Sequence, residues 1–150
     1  MTITIKQTIQ QAVTAHNDGK LEEAERLYRE ILEIEPTQLD ANNNLGVLLQ
    51  ASNRLEEAEK SFKKAIELKP DYAEAHYNIG NILYNLKKFE EAEKSYKKSI
   101  EHKPDYAQAY YNLGSLQKEF IRLHEAEINL KKAIELKPDY AEAYHGLGNI

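Results

Sequence analysis

Apolar residues recur at helical spacing along the chain, in paired blocks separated by short polar stretches. In residues 73–85, Ala75, Ile79, Ile82 and Leu83 share one side of a helix that turns every ~3.6 residues. In residues 89–102, Phe89, Ala92, Tyr96 and Ile100 do the same. The spacing predicts two helices, Ala73–Asn85 and Phe89–His102, joined by a tight turn. Pro104 cannot extend the second helix's hydrogen-bond ladder, and it biases Lys103 toward an extended backbone. Asp71 and Asp105 stand where a side-chain oxygen is expected to cap the following helix.

The same block recurs through the sequence. Pro36, Pro70, Pro104 and Pro138 are spaced by 34 residues, as are Gly46, Gly80, Gly114 and Gly148. Ala24, Ala58, Ala92 and Ala126 keep the interval, each inside Glu-Ala-Glu. Lys-Pro-Asp-Tyr-Ala recurs at 69–73, 103–107 and 137–141. Four residue types in one register define repeats at about 5–38, 39–72, 73–106 and 107–140, with a partial fifth at 141–150. The expected architecture is all-α, one array over residues 1–150. Mid-helix glycine costs about 1 kcal/mol relative to alanine, so its recurrence predicts a helix crossing too close for a side chain. Ala58, Ala92 and Ala126 are expected opposite the glycines. Tyr28, Phe62, Tyr96 and Leu130 are expected to fill the space between adjacent pairs. One pair cannot bury its apolar stripe alone, whereas stacked pairs share a core.

These residues resemble the tetratricopeptide-repeat family, whose pattern runs aromatic-x-x-Leu-Gly, then Ala-x-x-x-aromatic, then Pro. Tyr110-x-x-Leu113-Gly114, Ala126-x-x-x-Leu130 and Pro138 follow it, with leucine at the second aromatic position. Ala92-x-x-x-Tyr96 and Ala58-x-x-x-Phe62 match outright. The resemblance covers about residues 5–150 and implies a right-handed superhelical solenoid of antiparallel helix pairs. The first repeat departs from the pattern, with Gln11-Ala12 in place of Leu-Gly and Ile31 in place of a small residue, and is expected to act as an amino-terminal cap.

For function the resemblance implies a protein-interaction scaffold, not an enzyme, whose first helices line a concave groove. Carried onto this sequence, the inward positions are Asp40, Asn43, Asn44, Val47 and Gln50 in the second repeat. The third offers Glu74, Tyr77, Asn78, Asn81, Tyr84 and Asn85. The fourth offers Gln108, Tyr111, Asn112, Ser115, Lys118 and Glu119, and the fifth Glu142, His145 and Asn149. Asn44, Asn78 and Asn112 form a column that resembles the asparagine ladder of the repeat region of O-linked GlcNAc transferases. A carboxamide both donates and accepts, so such a ladder can hold an extended peptide by its backbone. The expected peptide-binding residues are Asn43, Asn44, Tyr77, Asn78, Asn81, Tyr84, Tyr111 and Asn112, with the tyrosines adding amphipathic contact area. The bland alternative is that the asparagines bond only to solvent or to neighbouring helices. Family members that clamp a terminal carboxylate use inward Lys and Arg. Asn43, Val47, Asn78, Gln108 and Asn112 occupy those positions here, which disfavours that subtype.

Composition narrows the partner. A net charge of −5 argues against general nucleic-acid binding, which needs a positive field. Cysteine is absent, which removes disulfides and thiolate metal sites and suits a reducing cytoplasm. The opening Met1–Lys6 lacks the basic region and apolar run of a secretory signal, and no stretch has the roughly 20 apolar residues of a membrane span. Glu59-Lys63-Glu67, Glu93-Lys97-Glu101 and Glu127-Lys131-Glu135 read as a solvated outer face.

Catalytic chemistry finds no foothold. Glu142-x-x-His145 has the spacing of half a di-iron site, but no second half exists. There is no phosphate loop, and no serine–histidine–carboxylate set can be placed. No cofactor or metal is expected. The last repeat ends inside its first helix without a polar cap. Two expectations follow from that ending. One is head-to-tail self-association through the uncapped edge. The other is that the chain is the substrate-recruiting front of a longer enzyme such as a glycosyltransferase.

Overall fold

The structure, a computed structural model, describes residues 4–150; Met1, Thr2 and Ile3, which open the segment weighed above as a signal, lie outside the described residues. The chain divides into two compact units, one ending at Asp71 and one running from Tyr72 to Ile150. The first contains α1 (Ile5–Asn17), α2 (Leu21–Ile34), α3 (Leu39–Ala51) and α4 (Leu55–Leu68). The second contains α5 (Ala73–Asn85), α6 (Phe89–His102), α7 (Ala107–Glu119), α8 (Leu123–Leu136) and α9 (Ala141–Gly148). No strand occurs among the described residues. Odd and even helices pack as hairpins, and inside each unit the hairpins stack, α2 on α3, α6 on α7 and α8 on α9.

Each hairpin turn is closed the same way. Lys20, Arg54, Lys88 and Arg122 donate their backbone N–H to the carbonyls of Ala15, Leu49, Leu83 and Gln117, at 2.8–3.0 Å. That closure needs a left-handed residue just after the helix, found at Gly19, Asn53, Lys87 and Ile121, with φ of 75°, 57°, 59° and 59°. Glycine meets the requirement without strain, whereas Ile121 is β-branched and disfavoured there. At the other end of each hairpin the prolines behave as predicted. Lys103 sits at φ −140° and ψ 85° directly before Pro104, and α6 ends at His102. The expected aspartate caps do not form. α5 and α7 have Tyr72 and Tyr106, not the aspartates, at the cap position, with no side-chain cap bond. The tyrosine wins because its ring has a packing role: the Tyr106 ring lies 4.9 Å from that of Tyr77.

The mid-helix glycines are explained by rings. A Cβ on Gly46 would lie 2.7 Å from the Phe62 ring, and one on Gly80 would lie 2.6 Å from the Tyr96 ring. The large side chain of the second helix therefore packs directly against the glycine of its own hairpin. At Gly46 and Gly80 the ring, which was expected only between adjacent pairs, is thus the nearest neighbour of the glycine, while Leu130 also reaches the next pair at Gly146. At Gly114 the contact is with Leu130 Cγ at 3.0 Å and the Ala126 carbonyl at 3.1 Å. Tyr28, Phe62, Tyr96 and Leu130 are all fully buried, and burial of one such side chain contributes about 1.5–3 kcal/mol.

Ion pairs bind hairpin to hairpin on the outer side. Arg54 holds Glu25 at 2.7 Å and Glu57 at 2.8 Å, and Arg122 holds Glu93 at 2.7 Å along with Glu125. The expected helical pairs Lys63–Glu59 and Lys97–Glu93 form at 2.7 Å. Glu67 and Glu135 pair instead with Lys64 and Lys132. Hydrogen bonds from Arg122 hold Glu93 below its ordinary carboxylate range, against the opposing pull of burial. Burial pushes the Glu25 carboxyl up, but bonds from Arg54 and Arg29 outweigh it and leave the value lowered.

Two stability predictions follow. Gly80→Ala should destabilise by about 1–3 kcal/mol through overpacking against Tyr96, while Ile121→Asn should raise the urea midpoint by relieving the left-handed isoleucine. Unchanged midpoints in both would contradict the packing described. Carboxylates with lowered folded values stabilise fully above the unfolded value and lose that contribution as the pH falls through the folded one. Stability should therefore fall between about pH 5 and about pH 2, and Arg122→Gln should make that fall shallower. An unaltered pH profile in urea titrations of this variant would remove the Arg122–Glu93 pair from the account.

Candidate functional site

The expected binding residues lie on the odd-numbered helices, and all are partly buried. Asn43 and Asn44 are on α3 of the first unit. Tyr77, Asn78, Asn81 and Tyr84 are on α5, and Tyr111 and Asn112 on α7, of the second.

In the second unit α5 and α7 meet through a polar network. Asn112 Nδ2 donates to Asn81 Oδ1 at 2.7 Å and to the Tyr77 hydroxyl at 3.2 Å. The Tyr96 hydroxyl donates to the same Asn81 Oδ1 at 2.9 Å. Asn112 thus spends its donor group on the neighbouring helix, as the bland alternative has it. The Asn112 carbonyl, the Asn81 amide nitrogen and the Tyr77 O–H proton are not used in these bonds. Farther along, the Tyr84 hydroxyl donates to the Glu119 carboxylate in a short hydrogen bond. That bond, more than burial, pushes the Tyr84 phenol up to about 12. Asn78 forms no side-chain hydrogen bond among the described residues, so its carboxamide is open.

The tyrosines are held by other rings. Tyr77 lies 6.1 Å from Tyr96 and 4.9 Å from Tyr106, and Tyr111 lies 5.0 Å from Tyr140. Lys103 and Lys137 place their ammonium groups 4.8 Å and 4.7 Å from the rings of Tyr106 and Tyr140. Such cation–π contacts reward the Lys-Pro-Asp-Tyr spacing and fix the inner tyrosines from behind. Burial pushes the Tyr96 and Tyr106 phenols well above their ordinary value and that of Tyr140 up to about 12, so all three stay neutral.

The first unit is less complete. Tyr28 corresponds to Tyr96, but its buried hydroxyl forms no hydrogen bond. Val13 stands 68 residues before Asn81, so the acceptor that serves Tyr96 is missing. Asn44 faces the Tyr28 hydroxyl without closing a well-formed bond. Asn43 Oδ1 is likewise buried without a partner.

Between α7 and α9 the inward positions of the fourth and fifth repeats come together around an open cavity of about 390 Å³. Tyr111, Ser115, Lys118 and Glu119 line it from α7, and Glu142, His145, Gly146 and Asn149 from the α9 side. Lys118 Nζ donates to the Gly146 carbonyl at 3.0 Å. No cluster of three or more His, Asp or Glu with metal-binding geometry occurs among the described residues. The roles of Tyr96, Tyr106 and Tyr140 behind the site escaped the sequence reading, although the Lys-Pro-Asp-Tyr column marked two of them.

Removing the Tyr96 hydroxyl should cost about 1 kcal/mol, because Asn81 loses a donor, whereas Tyr28→Phe should be neutral or stabilising. Equal losses in thermal denaturation of the two variants would show that the network carries no energy.

Tetratricopeptide-repeat family models match residues 15–62, 73–106 and 107–140, and a TPR-repeat model matches 49–87, so that together they run from 15 to 140 without a gap. Among curated proteins none matches significantly. Among solved structures, a crystal structure of MamA protein superposes with a TM-score of 0.87 at 25% identity, covering 99% of this chain and 81% of that one. A MamA structure from Desulfovibrio magneticus RS-1 gives 0.86 at 23%, covering 99% and 85%. PilF of Pseudomonas aeruginosa gives 0.87 at 23%, covering 97% of this chain and 66% of that one. The last two likenesses concern the fold alone.

Proposed function

The chain belongs to the tetratricopeptide-repeat family, and from that premise we propose that it is a non-catalytic scaffold that binds an extended protein segment. The family fold supports the general role. The observation that carries the finer reading is the inner face of α5 and α7. Its asparagines and tyrosines retain hydrogen-bonding capacity after the internal network is satisfied. Asn78 is wholly unspent, Asn81 keeps its amide nitrogen and Asn112 its carbonyl. An extended backbone presents alternating N–H and C=O groups, which such carboxamides match without reading side chains. Tyr77, Tyr84 and Tyr111 are held by ring contacts or a hydrogen bond, so little side-chain entropy remains to be lost on binding. In the first unit Asn43 and Asn44 stand at the corresponding place on α3, with the Asn43 carbonyl oxygen buried. The lack of cysteine fits work in a reducing compartment such as the cytoplasm. No helix among the described residues is long and apolar enough to cross a membrane.

The test begins by selecting peptides from a random phage-displayed library on the whole chain. Calorimetry then compares their binding to the wild type, to Asn78→Ala/Tyr111→Phe on the inner face, and to Lys63→Ala/Lys97→Ala on the outer helices. The inner variant should weaken binding by about tenfold or more, and the outer one should leave it unchanged. Binding lost only with the outer variant would refute the assignment of the face.

A further inference from the structure

The cavity between α7 and α9 differs in character from the amide network beside it. Its polar groups are charged, and their charges are unequally committed. Lys118 already donates to the Gly146 carbonyl at 3.0 Å, so it is tied to the wall. The carboxylates of Glu119 and Glu142 are exposed, Glu119 accepting only the Tyr84 hydroxyl. That bond is to a neutral phenol and leaves the negative charge of Glu119 uncompensated. By contrast Glu74, on the same run of inner positions, has its cation in Lys103 at 3.0 Å. Glu93, on the outer side, has two, Lys97 and Arg122. His145 is engaged by Asn149, with the ring nitrogen 3.2 Å from its Nδ2.

Tyr111 supplies an aromatic wall that is backed by Tyr140 at 5.0 Å. A guanidinium or ammonium group is attracted by carboxylates and by the face of a phenol ring alike. An acidic side chain would meet two carboxylates against the single ammonium of Lys118, so the acidic charges of the lining outnumber the basic one. A volume of about 390 Å³ takes one long side chain and is small for a whole peptide.

Building on the scaffold reading, we infer that this cavity selects a basic side chain, arginine above lysine, in the segment that the chain binds. Arginine is favoured because its planar fork can bond a carboxylate bidentately while stacking on a ring. The cavity therefore sets charge preference and register, while the amides of α5 and α7 hold backbone.

The test repeats the library selection on wild type and on Glu119→Gln/Glu142→Gln. Glutamine keeps an acceptor for Tyr84, so the double variant retains the inner network while losing both charges. Peptides from the wild type should share an arginine or lysine at one position. Replacing it with glutamine should weaken binding by about tenfold, and the double variant should select peptides without it. In carbon-labelled tyrosine spectra, a bound arginine peptide should lower the Tyr84 titration from about 12 toward the ordinary phenol value. Peptides that bind the inner face, as judged by Asn78→Ala, yet show no basic preference would overturn the inference and leave the scaffold reading standing. Peptides indifferent to every inner-face variant would overturn both.

Discussion

Ring-on-glycine contact within each hairpin is the constraint on which the remaining geometry rests. The Phe62 and Tyr96 rings lie where Gly46 and Gly80 would otherwise carry a Cβ. Helices brought that close have their relative rotation fixed, so the opposite side of each first helix can face only one way. Tyr77 and Asn81 flank the contact at Gly80 and both meet the Tyr96 side chain. The glycines cost helix propensity, about 1 kcal/mol each, and burial of the ring outweighs that cost. Where leucine replaces the ring, at Leu130, the backbone of α8 also approaches Gly114, and the hairpin still closes.

Behind the inner face, structural and binding demands compete for the same atoms. Asn81 Oδ1 is consumed twice, by Tyr96 and by Asn112. That ties its oxygen into the packing between the helices and leaves its nitrogen outside these two bonds. Asn112 is half floor and half surface, and Asn78 is surface alone. One 34-residue column thus holds residues of unequal role, and a repeat copied from one template has diversified through its neighbours. Val13 shows the consequence in the first unit, where the missing amide leaves Tyr28 without a partner.

Much of the fold was legible because the signals were periodic and local. Helices α5 and α6 fall at the boundaries read from apolar spacing and Pro104. The aspartate caps were misread because Tyr72 and Tyr106 hold the cap positions, and Tyr106 is claimed by ring packing on Tyr77, a tertiary effect invisible in local propensity. The ring as nearest neighbour of Gly46 and Gly80 was missed for the same reason: spacing gives the face of a helix but not which side chain crosses. Ion pairs such as Arg122–Glu93 span 29 residues, away from helical i,i+4 spacing, and were not visible to a helical-wheel argument. Of the candidate site, the helix that carries each residue was readable. Which amide is spent and which is free was not, since that depends on neighbours 31 and 35 residues away.

The central claim is that the rings of Phe62 and Tyr96 pack directly against Gly46 and Gly80. Nuclear magnetic resonance of the chain with labelled glycine reads this directly. The account predicts α-protons of both glycines displaced from ordinary helical shifts by ring current, with cross-peaks to the Phe62 and Tyr96 ring protons. Glycine α-protons at ordinary helical shifts, without those cross-peaks, would contradict it.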